Sequence, residues 1–465
     1  MDLPFYTADL PGIGGRLKAH LEDFFVEELP RYAPSGQGSH CYISVEKRGI
    51  STLQAVNLLA RALGRRAIDI GYAGLKDTRA VARQTFSVEG ETEARLRALE
   101  LPHMRILQVA RHQNKLQIGH LAGNRFTIKI RHPDWDKPGG AVSGAEAQTR
   151  AVLDRLEHSG VPNFFGPQRF GQRGNNHELG RVLLREAPEE FLKRWFGAPD
   201  PRLDHGGVLE ARQHFEQGRF DLALAAWPGH MHTERRALAV LARAPKAYAR
   251  AAATLDQSLR RLLISALQAH LFNETLRLRL FRLDRILPGD LAWKHDRGAV
   301  FRVPLTAPEV AVEQARADRH EISPSGPMFG YRMTNPTGEP AQMEEQVLRA
   351  HGLTPENFHG GRSPATQAAA GETEAGAGAA RCSAPGPEPV AFAKHAGGRR
   401  GPVEKSKGSR RAMRFFPAEL DLGAGTDAYG SFLQLRFVLA AGCFATVLLG
   451  EIMKTPGQGM AGLKP

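Results

Sequence analysis

Cysteine is scarce: three in 465 residues, at Cys41, Cys382 and Cys443, far apart and odd in number. That spacing excludes a disulfide framework and a paired-cysteine zinc site, and it fits a reducing cytoplasm. Long apolar runs are missing too, none approaching the roughly eighteen uninterrupted residues of a membrane helix, so no span is expected. Met1-Asp2-Leu3-Pro4 has neither the charged leader nor the apolar core of an export signal. Acidic residues are in deficit, 49 against 62 Lys and Arg, giving a formal charge of +13 and a pI near 9.9. Such an excess points to nucleic acid or another polyanion. What is plentiful is core material: 42% of the residues are hydrophobic, and the length suggests two or three domains.

The stretch with the most chemical promise is Gly71-Tyr72-Ala73-Gly74-Leu75-Lys76-Asp77-Thr78-Arg79. It follows the alternating run 67–70, read as a strand, and precedes the strand-like 84–88, so a carboxylate is delivered into a loop hemmed by two glycines. Glycine permits unusual torsions and close approach, while Lys76 and Arg79 favour an ionised Asp77 and attract an anionic partner. The plain alternative is a strand-to-strand turn carrying a solvated aspartate.

Along the chain, Phe24 is a candidate stacking platform for a base, with a core role as its alternative. Residues 41–45 read as a strand. Ser51 with Gln54 forms a capping box ahead of a helix whose apolar face is Leu53, Val56, Leu59, Ala60 and Leu63, ended by Gly64. Residues 105–110 and 115–118 read as strands around the basic turn Arg111-His112-Gln113-Asn114, a possible phosphate contact. Gly123-Asn124-Arg125-Phe126 opens an alternation in which Phe126, Ile128 and Ile130 face one way. Asn124 carries the donor and acceptor needed to read a pyrimidine edge, or is simply a turn residue. A connector over 133–144 leads into a helix over 145–158. Asn163-Phe164-Phe165-Gly166-Pro167-Gln168-Arg169-Phe170-Gly171 cannot form a regular element; Arg169 suits a phosphate, and a corner packed by Phe164 and Phe170 is the alternative.

A second domain follows, with short helices over 188–196 and 221–227. A long amphipathic helix carries Leu259, Leu262, Leu263, Ala266, Leu267, His270 and Leu271, and a β-rich segment spans 288–303. His270 reads as a packing histidine, since no metal-spaced partner accompanies it. Residues 354–409 are dense in Ala, Gly, Pro, Ser and charge, and are expected to be disordered, with the basic stretch 394–414 as an RNA-attracting arm or a solvated linker. Structure resumes with a strand over 433–439, a turn at Gly442 and a helix from Phe444 to Ile452, a unit too short to fold alone.

Gly74-Leu75-Lys76-Asp77, Gly123-Asn124-Arg125-Phe126, the motif 163–171, Arg410-Arg411-Ala412-Met413 and Gly442-Cys443-Phe444-Ala445-Thr446 together resemble, in the same order, the TruD family of tRNA pseudouridine synthases. The resemblance covers nearly the whole chain except roughly 355–408. It implies an α/β (α+β) protein and a V-shaped molecule: a catalytic domain with a mixed, largely antiparallel sheet formed by 1–159 and 410–465, an inserted α/β domain over 160–353, and a low-complexity insertion over 354–409. By matching position it implies Asp77 as the catalytic aspartate, nucleophile at C1′ or base at C2′, and Lys18 as its basic partner. It likewise implies Phe24, Asn124, Phe126 and Phe444 around the uridine. Lys76, Arg79 and Arg169 are further candidates for RNA contact, and Lys76 competes with Lys18 as the cation that holds Asp77 charged. Phe25 and Phe165 depart mildly from the family's usual aliphatic and Tyr. The implied activity is isomerisation of a uridine in the D-arm region of tRNA, position thirteen, with no metal or cofactor. tRNA is the expected partner, with no membrane and no obligate protein partner, and the expected state is a cytoplasmic monomer. Rival readings are an RNA-binding protein with a vestigial pocket and a nucleoside hydrolase.

Overall fold

The computed structural model describes residues 3–132, 134–136, 142–359 and 406–455. Residues 360–405 of the low-complexity stretch, and part of the connector 133–144, lie outside them. The described chain clusters into two compact units, one built from residues up to Asn163 and from Arg414 onward, the other from Phe164 to Met413.

The first unit opens with strands β1 (Phe24–Pro30) and β2 (His40–Arg48) and the helix Thr52–Leu63. Both halves of the capping box are made: Ser51 Oγ accepts from the Gln54 amide at 3.2 Å, and Gln54 Oε1 accepts from the Ser51 amide at 2.8 Å. Gly64 closes the helix at φ +66°, a left-handed torsion that glycine takes without strain. The apolar face is narrower than its spacing suggests, because Leu53 is 53% exposed while Val56, Leu59, Ala60 and Leu63 are buried.

Strands β3 (Gly71–Tyr72), β4 (Val81–Glu89), β5 (Met104–His112) and β6 (Leu121–Ile130) follow, then the helix Val142–Ser159 and β7 (Val161–Pro162). Two strand expectations are corrected here. Residues Ala67–Asp69 form a 3-10 turn, because the Asp69 carboxylate folds back onto the Arg66 amide at 3.1 Å and pins a local turn. Residues 115–118 are a connector in which the Leu116 amide donates to Ser87 Oγ at 2.9 Å instead of joining a ladder.

The second unit is helical at first, from Asn176–Leu184 through Tyr248–Ala252 to the long helix Gln257–Arg279. Its core gathers Phe191, Phe196, Phe215, Trp227, Leu267 and Leu271. Leu262, counted on the apolar face, is 49% exposed. His270 is not alone: its Nε2 lies 3.0 Å from His351 Nε2, its ring centre is 4.2 Å from that of His177, and burial pulls its pKa down to about 3. A small sheet, in the order β11-β10-β8-β9, joins β8 (Leu291–Lys294), β9 (Val300–Arg302), β10 (Ile322–Met328) and β11 (Ser409–Ala412). Phe358 is buried in the helical core, so packing continues past 354. The end of the expected basic arm is likewise internal. Arg410 pairs with the buried Glu344 at 2.8 Å, and Arg411 lies 4.2 Å over the Phe165 ring.

The chain re-enters the first unit through β12 (Arg414–Phe415), which pairs with β7, and ends in β13 (Ala418–Asp427), β14 (Gly430–Ala440) and the helix Ala445–Met453. Gly160 allows this pairing, since a Cβ there would stand 2.8 Å from Arg414 Cδ. The resulting eight-stranded sheet runs β13-β14-β6-β1-β4-β2-β5 with β3 on β4, antiparallel throughout except for the parallel pair β1–β4. The fold is therefore α/β with a mixed sheet.

Cross-strand register assigns the faces. Phe24, Val26 and Glu28 of β1 stand opposite Ile128, Phe126 and Asn124 of β6, which in turn stand opposite Leu435, Phe437 and Leu439 of β14. Val26 pairs with Ala82, so Gln84 shares this face, and Val45 opposite Gln84 carries it into β2. The face is apolar along most of its length and turns polar at Glu28, Lys47, Gln84 and Asn124. That change marks where the site lies.

Candidate active site

Asp77 sits in the loop 73–80 between β3 and β4, and this loop is fastened at four points. The Gly74 carbonyl accepts from Gln84 Nε2 at 2.8 Å, and the Lys76 amide donates to Thr52 Oγ1 at 2.9 Å. The Lys76 ammonium meets Glu28 at 2.6 Å with both side chains 5% exposed, and the Asp77 carbonyl accepts from Lys47 Nζ at 3.1 Å. Glu28 also accepts from the Thr85 amide at 3.0 Å, and Thr52 Oγ1 donates to Gln84 Oε1 at 3.0 Å. Strands β1, β2 and β4 and the helix after Ser51 thus share in holding one short loop.

Gly71 serves this packing through its missing side chain, since a Cβ would stand 2.3 Å from the Leu116 carbonyl oxygen. Neither Gly71 nor Gly74 has positive φ, so close approach, and not an unusual torsion, is the reason for glycine at 71.

The Asp77 carboxylate is 39% exposed, and Oδ2 accepts from Lys18 Nζ at 2.8 Å. Lys18 is 5% exposed at its side chain, and its ammonium also lies 4.2 Å over the Phe24 ring. Burial holds the Lys18 pKa below the ordinary lysine value, with the Asp77 charge and hydrogen bond opposing that shift. The backbone at Lys18 has φ +56°, a strained torsion for a residue with a side chain. A buried lattice just downstream steadies this segment: Arg131 donates to Asp23 at 2.7 and 2.9 Å and to Asp427 at 2.7 Å.

Phe24 and Phe126 meet edge to face with centres 6.1 Å apart, and Phe126 stacks on Phe437 at 5.4 Å. Asn124 is opposite Glu28 across the β1–β6 ladder. Its Oδ1 is buried without a hydrogen-bond partner among the described residues. Buried acceptors are nearly always paired, so this orphan is an unmet hydrogen-bonding demand beside the site. Phe444 begins the last helix, after a turn whose Ala441 amide donates to the Ala122 carbonyl at 3.0 Å, beside Asn124.

The structure thus links Asp77 to Lys18, Lys18 to Phe24 and Phe24 to Phe126, with Asn124 on the same sheet face as the two phenylalanines and Phe444 at the start of the last helix. The Lys76 ammonium is turned inward to Glu28, so it is neither an exposed cation nor the cation on Asp77. Arg169 is half-buried, donates to Ser265 Oγ and lies 5.8 Å over the Phe165 ring, so its guanidinium is engaged internally. Arg79 is exposed. Among the described residues no cluster of three His, Cys, Asp or Glu side chains has metal-binding geometry, and no helix is long and apolar enough to cross a membrane.

Sequence reasoning missed Glu28, Lys47, Thr52 and Gln84. A signal was there, because Lys47 continues the inward register of Cys41, Ile43 and Val45, where a charged residue needs a reason. Lys47 is fully buried, donates to the Ile50 carbonyl at 2.6 Å, and burial pulls its pKa down to about 8. The unfolded chain keeps that proton up to the ordinary 10.5, so between these values unfolding takes up a proton and rising pH favours the folded state. The melting temperature of the wild type minus that of Lys47→Met should therefore increase from about pH 7.5 to about pH 9.5. A flat difference would show that Lys47 carries no buried charge.

Fold and site together define a class: a carboxylate coupled to a buried lysine, flanked by phenylalanines and an orphan amide, on a mixed sheet interrupted by a large helical unit. A family profile for tRNA pseudouridine synthase D (TruD) matches residues 1–377. A Geobacter sulfurreducens protein named tRNA pseudouridine synthase D is 40% identical over 464 residues, covering 98% of each chain. A Geotalea daltonii protein of the same name is 38% identical, covering 97% of this chain and all of that one. A crystal structure from Methanosarcina mazei, described under the same family name, superposes with a TM-score of 0.76 over 98% of each chain at 24% identity, a likeness of fold. The chain belongs to the TruD family.

Proposed function

We propose that this chain isomerises uridine to pseudouridine in tRNA, at position thirteen in the D-arm region, as a cytoplasmic enzyme with Asp77 as its catalytic residue. The observation that carries this reading is the half-exposed Asp77 carboxylate, held through one oxygen by a buried ammonium and left open on its solvent side. Such a group remains available to a ribose while its orientation is set.

The reaction breaks N1–C1′, turns the uracil and closes C5–C1′ with loss of the C5 proton, which balances the proton regained at N1. The redox state and mass are unchanged. Asp77 acts as nucleophile at C1′ or as base at C2′. The stacked uridine is first extruded, at a cost of a few kcal/mol that stacking and edge hydrogen bonds offset. Phe24, Phe126 and Phe444 shield the detached ring from water, and the Asn124 amide, whose Oδ1 has no partner among the described residues, turns to meet the edge of the base.

The test is incubation of the protein with unmodified tRNA, with pseudouridine read by chemical derivatisation because the isomers share a mass. One modified site should form, absent when uridine 13 is replaced by cytidine. No modification in any tRNA would refute the assignment, and modification elsewhere would refute position thirteen.

A further inference from the structure

Leu75 stands between two anchors of the Asp77 loop, the Gly74 carbonyl held by Gln84 and the Lys76 amide and ammonium held by Thr52 and Glu28. Its neighbours turn inward: Ala73 is 5% exposed and the Lys76 side chain likewise 5%. Leu75 itself is 67% exposed. A lone exposed leucine is ordinary on a protein surface. The backbone on both sides of this one is tied down, which fixes the direction of its Cα–Cβ bond, and it lies two residues from the carboxylate.

Extruding a base from a stacked strand leaves a gap lined by the faces of its neighbours, and apolar side chains inserted at such steps hold nucleic acid in the unstacked form. We propose that Leu75 is this wedge: it enters the place vacated by the target uridine and so keeps the base turned toward Asp77. The proposal rests on the uridine-isomerising function above and adds a positioning residue for substrate that is stacked at the start. Fixed spacing between wedge and carboxylate couples the two events, since a rigid loop that fills the gap presents Asp77 at the same moment.

The test compares Leu75→Ala and Leu75→Met in the full chain on two substrates: folded tRNA, and the same tRNA with the target uridine unpaired by a change in the opposing strand. Leu75→Ala should lose about 10- to 100-fold in kcat/KM on folded tRNA, the effect of removing a buried leucine side chain. Leu75→Met should stay within about threefold, since it keeps apolar bulk. The alanine deficit should shrink on the unpaired substrate, where extrusion is cheaper. Melting temperature should not change, because the side chain is in solvent. Wild-type turnover by Leu75→Ala on folded tRNA, or an equal deficit on both substrates, would overturn the wedge. Absence of pseudouridine with the wild type would instead refute the function itself.

Discussion

Asp77→Asn is expected to form no pseudouridine, a loss of at least about ten-thousand-fold in kcat, while binding tRNA as the wild type does. The amide keeps the size and shape of the side chain but cannot attack a sugar carbon or accept its proton as a carboxylate does. RNA affinity comes chiefly from cations meeting phosphates, and Asp77 is an anion, so its neutralisation removes no phosphate contact. The loop should keep its place, because its anchors engage the backbone around Asp77 and the side chain of Lys76. Lys18 loses its counter-charge in a buried setting, so its pKa should fall further below the ordinary value. Single-turnover assays with derivatised RNA and a filter-binding titration check both halves. Substantial turnover by the asparagine variant would remove Asp77 from the chemistry, and lost binding together with lost turnover would recast it as a structural residue. Asp77→Ala guards the first result against slow deamidation.

Lys18→Met should lower kcat by about 100- to 1,000-fold with KM nearly unchanged, the scale of removing one preorganised electrostatic contact from an active site. Methionine keeps an unbranched apolar stem, and the ammonium 2.8 Å from Asp77 and 4.2 Å over the Phe24 ring is gone. The carboxylate then loses both its orientation and its nearest charge. Lys18→Gly relieves the backbone torsion at φ +56° but empties a buried side-chain site, so the two effects oppose each other in stability while activity falls as it does in the methionine variant. Lys18→Arg should rescue little, because a planar guanidinium does not fit the tight space an ammonium occupies between the Phe24 ring and Asp77. Near-normal kcat in Lys18→Met would show that Asp77 needs no partner.

How much of this was legible in the chain differs from one element to the next. The helix after Ser51 was readable at both ends, because the cap and the left-handed glycine are local devices. The Phe126, Ile128, Ile130 alternation was readable because a ten-residue strand repeats its pattern often enough. The run 67–70 was too short for periodicity to outweigh one carboxylate folding back on its own turn. Arg410 read as part of a basic arm because nothing nearby in sequence announces Glu344, 66 residues away, as its partner. Lys76 read as a cation for Asp77 or for RNA for the same reason: Glu28 lies far off in the chain and next to it in space.

The sequence by itself determined the chemistry on offer: one aspartate in a glycine-containing loop, phenylalanines and an asparagine at strand positions, a positive charge balance, and motifs whose order specifies the family. These are properties of residue type and near spacing, and they survive without coordinates. Tertiary structure alone decided which lysine serves Asp77, which arginines are internal, and why the loop is stiff. Those outcomes depend on burial and on pairing across distant segments, and a charge in a string of letters is neither buried nor paired until the sheet has brought its strands together.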